Sequence, residues 1–148
     1  MRIKIINGPN LNLLGRRQPE IYGRLSFEAY LATLEATFSG HELSYFQSNH
    51  EGAIIDAIQE LMTGTFEGLV INPAAYTHTS IAIADALAML AIPIAEVHIS
   101  NIYERETFRQ HSFVQPFAAV SIVGKGLEGY KMAIEFLLEK NTNNQTLP

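Results

Sequence analysis

Cysteine and tryptophan are absent from the 148-residue sequence. Without cysteine the chain can form no disulfide, no thiolate nucleophile and no Cys-ligated zinc, iron or iron-sulfur site. A long hydrophobic run is missing too: the amino terminus, MRIKIINGPN, reaches Gly-Pro-Asn after a few apolar residues, so it resembles neither a signal peptide nor a membrane helix of about 20 residues. We therefore expect a soluble, cytoplasmic protein without a membrane partner.

Positive charge is scarce as well. Ten Lys and Arg residues stand against fifteen Asp and Glu residues, which gives a net charge of -5. Because nucleic-acid-binding proteins present a broad basic surface to the phosphates, we expect no nucleic-acid partner. The length, with 47% hydrophobic residues, suits one domain and is too short for two. We expect that domain over residues 1–140 and a frayed polar tail, NTNNQTLP, over 141–148.

The sequence does contain an alternation of short apolar runs, rich in β-branched residues, with longer amphipathic stretches. This pattern predicts an α/β fold with a five-stranded parallel sheet. The second strand is the most polar, as an edge strand is, whereas the fourth and fifth are almost wholly apolar, as strands covered on both faces are. The predicted strands are 3–6, 42–47, 68–72, 94–99 and 118–123, and the predicted helices are 26–38, 52–62, 77–90 and 127–139.

Polar residues gather where the predicted strands end. In an open parallel sheet, ligands bind in the crevice beyond the carboxyl ends of the strands. Three segments lie there, residues 8–24, 72–79 and 98–111, and they carry polar side chains that a hydrophobic core does not require. The sequence therefore predicts a functional site built from these three segments.

The first segment is a long connection that gathers Arg16, Arg17 and Arg24 around Tyr22. Such arginines are either merely solvated on an exposed loop or form an electropositive lid that attracts an anion and makes the tyrosine more acidic. The lid is energetically feasible. Lowering a phenol pKa of about 10 by roughly two to three units requires about 3–4 kcal/mol. One guanidinium at about 4 Å supplies that much at an effective dielectric of about 20.

The second segment, NPAAYTHTS, joins the third strand to a helix. Threonine is common at helix N-caps, so Thr77 can have a purely structural role. Asn72 and His78 lie where the strand ends and the helix begins, so both can direct hydrogen bonds into the crevice. Asp85 follows on nearly the same face of the predicted helix as His78, among Ala, Ile, Leu and Met, and its lone carboxylate requires a partner.

The fourth strand contains two titratable residues that a buried strand normally excludes. Glu96 and His98 are two residues apart, so they point to the same face of the sheet within reach of one another. They form either a hydrogen-bonded core pair or a histidine that a carboxylate orients for proton transfer. Arg105, Arg109 and His111 follow on a short turn.

Several catalytic motifs are missing. Histidines and Glu96 could ligate a metal in principle, but no HExxH or comparable spacing is present, and we expect no metal. The sequence has no GxSxG turn for a serine nucleophile and no GxxxxGK[ST] phosphate loop.

Two non-catalytic alternatives share this fold class. A phosphoryl-accepting receiver module needs an acidic cluster after the first strand and an aspartate after the third, where Asn7-Gly8 and Asn72-Pro73 stand instead. A flavin carrier needs a phosphate-binding Thr/Ser loop after the first strand, and that loop is absent from the sequence.

Four segments stand out together: INGPNLNLLGRRQPEIYG, INPAAYTHTSIAIADAL, EVHISN and RETFRQHS. In this order and spacing, across nearly the whole chain, they resemble the type II 3-dehydroquinate dehydratases. The resemblance implies a flavodoxin-like three-layer α/β/α sandwich that forms a single catalytic domain. It also implies a hydro-lyase that reversibly dehydrates 3-dehydroquinate to 3-dehydroshikimate without any cofactor, in the shikimate pathway or in quinate breakdown. Trimers of this family associate into a homododecamer.

The resemblance also assigns the chemical roles. By position, Tyr22 matches the base that removes a proton next to the ketone, and Arg17 matches the lid arginine that keeps this tyrosine reactive. His98 matches the acid that protonates the departing hydroxyl, with Glu96 as its carboxylate neighbour. Asn10 matches the residue that holds a water near the developing enolate oxygen.

The remaining matches concern binding and assembly. Asp85 matches a residue that is offered to the site of a neighbouring subunit. The backbone of Ile99 and Ser100, with the Ser100 hydroxyl, suits a substrate carboxylate. The full set of implied substrate contacts is Asn72, His78, Ile99, Ser100 and Arg109. The lysines, which fall outside the three segments and so argue against imine chemistry, are Lys4, Lys125, Lys131 and Lys140.

Overall fold

The computed structural model describes residues 1–16, 20 and 24–145. One sheet contains five parallel strands: β1 (Arg2–Asn7), β2 (Glu42–Gln47), β3 (Gly68–Asn72), β4 (Ile94–His98) and β5 (Val120–Val123). The α-helices of the described residues are α1 (Phe27–Thr37), α2 (Glu51–Gln59), α3 (Ile81–Ala88) and α4 (Glu128–Gln145). The strand order β2-β1-β3-β4-β5 is that of flavodoxin-like folds, so the predicted α/β class is confirmed.

Helices cover both faces of the sheet. Successive side chains of a strand point to opposite faces, so each strand supplies two hydrophobic cores. On one face, Ile3 and Ile5 pack with helices α1 and α4. On the other face, Ile6 and Ile71 pack with helices α2 and α3. The result is the predicted three-layer sandwich.

The strands at the two edges of the sheet differ in composition, and the sequence indicated only one of them as an edge strand. Strand β2 lies at one edge, as its polar composition predicted. Strand β5 lies at the other edge, and most of it is only half-buried. The prediction that β5 is covered on both faces is met only in part, since Ile122 is buried and the other residues of the strand are half-buried.

The helix predicted over 77–90 is split. Residues Ala74–His78 form a 3-10 turn, and the α-helix begins only at Ile81. Its N-cap is Ser80, whose Oγ accepts a hydrogen bond from the Ile83 amide at 2.9 Å. Thr77 is therefore not the cap, and its fully buried Oγ1 has no hydrogen-bond partner among the described residues. His78 and Asp85 do not share a helix, so the prediction that they lie on one helical face is wrong.

The last helix is longer than the predicted range 127–139. It continues to Gln145 and so includes the first residues of the predicted tail, whose fraying stays a prediction, as does the division into a domain over 1–140 and a tail. In the part of the chain that the structure describes, no helix combines the length and apolarity that a membrane crossing requires.

Candidate active site

A crevice opens beyond the carboxyl ends of β1, β3 and β4. Its lining comes from the three segments that the sequence predicted. Its cavity volume is about 150 Å³, which is enough for a molecule built on one six-membered ring. The polar and charged side chains of its lining belong to Asn10, Asn72, His78, His98, Ser100, Arg105 and Arg109.

The floor of the crevice depends on a close contact between two loops. The Gly8 amide donates a hydrogen bond to the Asn72 carbonyl oxygen at 2.8 Å. A Cβ atom on Gly8 would lie 2.2 Å from the Pro73 carbonyl oxygen, so only glycine allows this approach. Asn10 has a left-handed backbone, with φ of 69°, and its amide donates to Asn49 Oδ1 at 3.0 Å. The loop after β1 is thereby fixed against the loops after β2 and β3.

Glu96 and His98 are in direct contact, as their spacing predicted. His98 Nε2 donates to Glu96 Oε1 at 2.7 Å, and the two residues are 4% and 1% exposed. Ser112 Oγ and Ser121 Oγ also donate to the Glu96 carboxylate, each at 2.5 Å. We call these four residues the carboxylate cluster.

The Glu96 carboxyl group is held in its ionised form. Burial raises its pKa, but the hydrogen bonds from His98, Ser112 and Ser121 and the charge of His98 outweigh burial, so the pKa of Glu96 lies below its ordinary value. Because Nε2 of His98 is engaged with Glu96, Nδ1 is the ring nitrogen left for a ligand. The pair can therefore supply a proton at the wall of the crevice.

A second histidine lies beside the first. The rings of His78 and His98 are 6.4 Å apart and nearly parallel. His78 Nδ1 donates to the His111 carbonyl oxygen at 2.7 Å, which leaves Nε2 as an acceptor. Burial lowers the pKa of His78, and the positive charges of His98, Arg109 and Arg105 lower it further against the opposing effect of the His111 carbonyl. A neutral His78 suits a hydroxyl-bearing ligand.

On the opposite face of the sheet, a buried tyrosine joins two asparagines. Tyr130 OH, on α4, donates to Asn7 Oδ1 at 2.7 Å and accepts from Asn72 Nδ2 at 2.9 Å. Asn72 Oδ1 in turn accepts from the Ala74 amide at 3.1 Å. We call Asn7, Asn72 and Tyr130 the amide cluster. It fixes the Asn72 side chain at the floor of the crevice.

The end of β4 offers backbone donors. The carbonyl oxygens of His98 and Ile99 accept from the amides of Gly124 and Gly126, each at 3.0 Å. Among the described residues, the amides of Ile99 and Ser100 donate to no backbone carbonyl. Both residues line the crevice, so their amides are available to an anionic ligand.

Two arginines form the positive side of the crevice. Arg109 Nε lies 3.0 Å from Glu106 Oε2, and Arg105 Nε lies 3.7 Å from the same oxygen. Both arginines line the crevice. The described lining contains no Asp or Glu, so the two guanidinium groups make it electropositive, which favours an anionic ligand.

The predicted site residues divide into three groups. Most of the predicted residues line the crevice, and Glu96 lies directly behind His98. Asp85 is exposed on α3 and does not line the crevice of its own chain. Arg17 and Tyr22 lie outside the described residues, whereas their neighbours Arg16 and Arg24 are exposed. The residues found in the crevice lining are Asn10, Asn72, His78, His98, Ile99, Ser100 and Arg109.

Sequence reasoning missed four residues that support this site: Asn7, Ser112, Ser121 and Tyr130. Tyr130 lies within the predicted helix 127–139, and nothing in the sequence distinguishes its hydroxyl from those of the other tyrosines. Ser121 could have been found from the strand register, because it pairs directly with Glu96 once β4 and β5 are aligned as parallel neighbours. Within the described residues, no three His, Asp or Glu side chains cluster as metal ligands.

Known proteins share this sequence and fold. The family model of dehydroquinase class II matches residues 1–138. A 3-dehydroquinate dehydratase of Janthinobacterium sp. (strain Marseille) is 49% identical over 140 residues, which cover 93% of this chain and 97% of that protein. A catabolic 3-dehydroquinase of Aspergillus clavatus is 53% identical over 135 residues, which cover 90% of this chain and 89% of that protein.

A solved structure shows the same similarity. The crystal structure of a type II dehydroquinase from Butyrivibrio crossotus DSM 2876 has a TM-score of 0.87 to this fold, at 52% sequence identity, and the match covers 93% of this chain and 97% of the other. Because both its sequence and its fold match over nearly the whole length, the chain belongs to the class II dehydroquinases, the type II 3-dehydroquinate dehydratases.

Proposed function

We propose that the crevice dehydrates 3-dehydroquinate to 3-dehydroshikimate through an enolate, with His98 as the general acid. One observation carries the proposal: in a chain of this family, His98 lies at the crevice wall with its Nε2 held 2.7 Å from the buried Glu96 carboxylate. An imidazolium in that position can protonate the hydroxyl group that leaves the substrate. Glu96 stabilises the charged ring and fixes its orientation.

The assignment of the general base rests on the resemblance to the type II 3-dehydroquinate dehydratases. We assign proton abstraction to Tyr22 and the lowering of its pKa to Arg17, both outside the described residues. Removing a proton next to a ketone produces an enolate, which a fixed donor or a bridging water stabilises more than bulk solvent does. Asn10, which lines the crevice, is the residue we propose to hold that water.

Substrate binding follows from the hydrogen-bond donors that line the crevice. We place the substrate carboxylate at the free amides of Ile99 and Ser100 and at the Ser100 hydroxyl. Arg109 supplies positive charge, and Asn72 and His78 supply hydrogen bonds to the ring hydroxyls. None of these steps needs a metal, a nicotinamide or an imine. Lys4, Lys125, Lys131 and Lys140 do not line the crevice.

The assembly is also a proposal. We infer a homododecamer, a tetramer of trimers, in which Asp85 reaches the site of a neighbouring subunit. Asp85 is exposed on α3, and Ile81 and Met89, at the two ends of this helix, are 61% and 52% exposed, as residues that await a subunit contact are. Co-expression of Asp85→Ala and His98→Asn chains tests this. Hybrid assemblies should be more active than either variant alone, whereas an Asp85 that acts within its own subunit gives no recovery.

The setting that we propose is the cytoplasm, where the enzyme serves the shikimate pathway or quinate breakdown. Relatives at 49% and 53% identity carry a general and a catabolic name respectively. Both roles use the same reaction, and growth on quinate after deletion of the gene distinguishes them.

The decisive experiment follows the ultraviolet absorbance of the conjugated enone when the purified protein meets 3-dehydroquinate without added metal or cofactor. We expect turnover in the wild type, a loss of about 100-fold or more in His98→Asn, and no turnover in Tyr22→Phe. Tyr103→Phe is the matched control, because Tyr103 is 49% exposed and outside the crevice lining. Near-normal turnover in His98→Asn would remove the histidine from its role. Borohydride with substrate should not inactivate the enzyme.

A further inference from the structure

The Glu96 carboxylate depends on two serines as well as on His98. It is 1% exposed, and its only ion pair among the described residues is with His98. Ser112 Oγ donates to Oε1 and Ser121 Oγ donates to Oε2, each at 2.5 Å. These lengths lie at the short end of the range for hydroxyl groups that donate to a charged carboxylate. Both carboxylate oxygens are therefore held from outside the catalytic pair.

Backbone amides fix the orientation of the Ser112 hydroxyl group. Its Oγ accepts hydrogen bonds from the amides of Val114 and Gln115 at 3.1 and 3.0 Å. A hydroxyl group has one donor and two acceptor positions, so both acceptor positions are occupied and the proton is directed at Glu96. A hydroxyl that accepts two hydrogen bonds is also a better donor, because such bonds polarise one another.

Ser121 is placed by the sheet itself. It lies on β5 directly opposite Glu96 on β4, in parallel register. Within the part of the chain that the structure describes, its Oγ serves no turn or cap, and its side-chain hydrogen bond is the one to Glu96 Oε2. A serine with no structural task, aimed at the partner of the proposed acid, indicates a role in setting the properties of that pair.

We propose that Ser112 and Ser121 are positioning residues that hold the Glu96 carboxylate against His98 and thereby set the pH range in which the site works. This inference rests on the proposed function of His98. The serines stabilise the ionised form of Glu96 by donating hydrogen bonds to it. Without them, fewer interactions oppose the effect of burial, which raises the pKa of Glu96. Among the described residues, the other titratable or charged groups that line the crevice with His98 are His78, Arg105 and Arg109, and all stay unchanged in the tests below.

The test measures kcat, KM and the pH profile of kcat for Ser121→Ala and Ser112→Ala with 3-dehydroquinate. We expect kcat at pH 7 to fall about 10-fold in each variant with KM nearly unchanged, because one hydrogen bond to a charged group is lost. The acid limb of the profile should move to higher pH by about one unit, since a carboxylate with fewer donors is protonated more readily. Ser121→Thr, which keeps the hydroxyl, should restore both.

The matched control is Ser80→Ala. Ser80 is buried like Ser112, and its Oγ likewise accepts a hydrogen bond from a backbone amide. Unlike Ser112, it does not donate to Glu96. This variant should lose stability and keep the wild-type pH profile. A shift in its profile as large as that of Ser112→Ala would show that loss of structure alone explains the serine effect, which would overturn the inference.

A double-mutant cycle separates this inference from the proposed function. In a Glu96→Gln background, Ser121→Ala should change kcat by less than about 2-fold, because the serine acts only through the carboxylate. If Ser121→Ala lowers kcat by the same factor in the Glu96→Gln background as in the wild type, the serines do not act through Glu96. If Glu96→Gln and His98→Asn both keep normal turnover, the proposed acid is wrong. A fall in kcat for Glu96→Gln with normal serine variants overturns only the inference.

Discussion

The carboxylate cluster and the amide cluster lie on opposite faces of one sheet, at the same end of its strands. The first surrounds a buried charge with donors and leaves one histidine nitrogen for the crevice. The second is neutral, and Tyr130 both donates and accepts within it. A charged cluster can change its protonation with pH, whereas a neutral one can only hold geometry. The comparison indicates that the two clusters divide the proposed proton transfer from mechanical support.

Glu96→Gln should cause the largest fall in kcat. This substitution keeps the shape of the side chain but removes the charge that stabilises a protonated His98, so kcat should fall about 100-fold. The free energy of unfolding should fall by only about 1 kcal/mol at pH 6, because the amide oxygen of Gln still accepts hydrogen bonds from the donors that surround the carboxylate. Steady-state kinetics and chemical unfolding at one protein concentration measure both effects. A variant that loses stability but keeps kcat would break the comparison.

Tyr130→Phe should show the reverse pattern. Removing the hydroxyl leaves Asn7 Oδ1 and Asn72 Nδ2 without a buried partner, so the free energy of unfolding should fall by about 2–3 kcal/mol. KM should rise because Asn72 is no longer held, while kcat stays within about 10-fold of the wild type. The pH profile should not move, since burial raises the pKa of Tyr130 far above its usual range and keeps the phenol neutral. A shifted profile would contradict the division of tasks.

The two clusters should also differ in their response to acid. The pKa of Glu96 is below its ordinary value of 4.5, so its contribution to stability is fully present above about pH 4.5 and is lost as the pH falls through the lowered value. The difference in unfolding free energy between the wild type and Glu96→Gln should therefore narrow from pH 6 to pH 3. The difference between the wild type and Tyr130→Phe should stay constant over that range.

The smallest effect is expected for Thr77→Val. The Thr77 hydroxyl is fully buried without a hydrogen-bond partner among the described residues, so it belongs to neither cluster. Valine has nearly the same shape and lacks the unpaired group, and stability should rise by about 1 kcal/mol. Thr77→Ala is the control, since it creates a cavity and should destabilise the fold. Lower stability in Thr77→Val would show that the hydroxyl has a partner in the assembled protein.

The parts of this molecule that the sequence predicted are those with a local signal. Apolar runs located the five strands, and the titratable residues at positions 96 and 98 predicted a buried hydrogen-bonded pair, because the two-residue period of a strand puts them on one face. The crevice followed from the rule that ligands bind at the carboxyl ends of parallel strands. Each of these inferences needs only neighbours along the chain.

The parts that were missed depend on contacts between distant segments. The start of α3 was misplaced because Thr77 and Ser80 are both acceptable N-caps, and the 3-10 turn Ala74–His78 decides between them. Ser121 became visible only through its register with Glu96. The half-buried state of β5 was also missed, because its apolar composition does not reveal that it lies at an edge of the sheet.

The hydrogen bond from Tyr130 to Asn7 joins residues that are 123 positions apart. During synthesis the first strand leaves the ribosome long before the last helix exists, so the floor of the crevice stays incomplete until translation is almost over. A nascent chain stopped before residue 130 has every proposed reactive group and still lacks the clamp that holds Asn72 in place. The enzyme thereby links competence for its substrate to completion of its own chain.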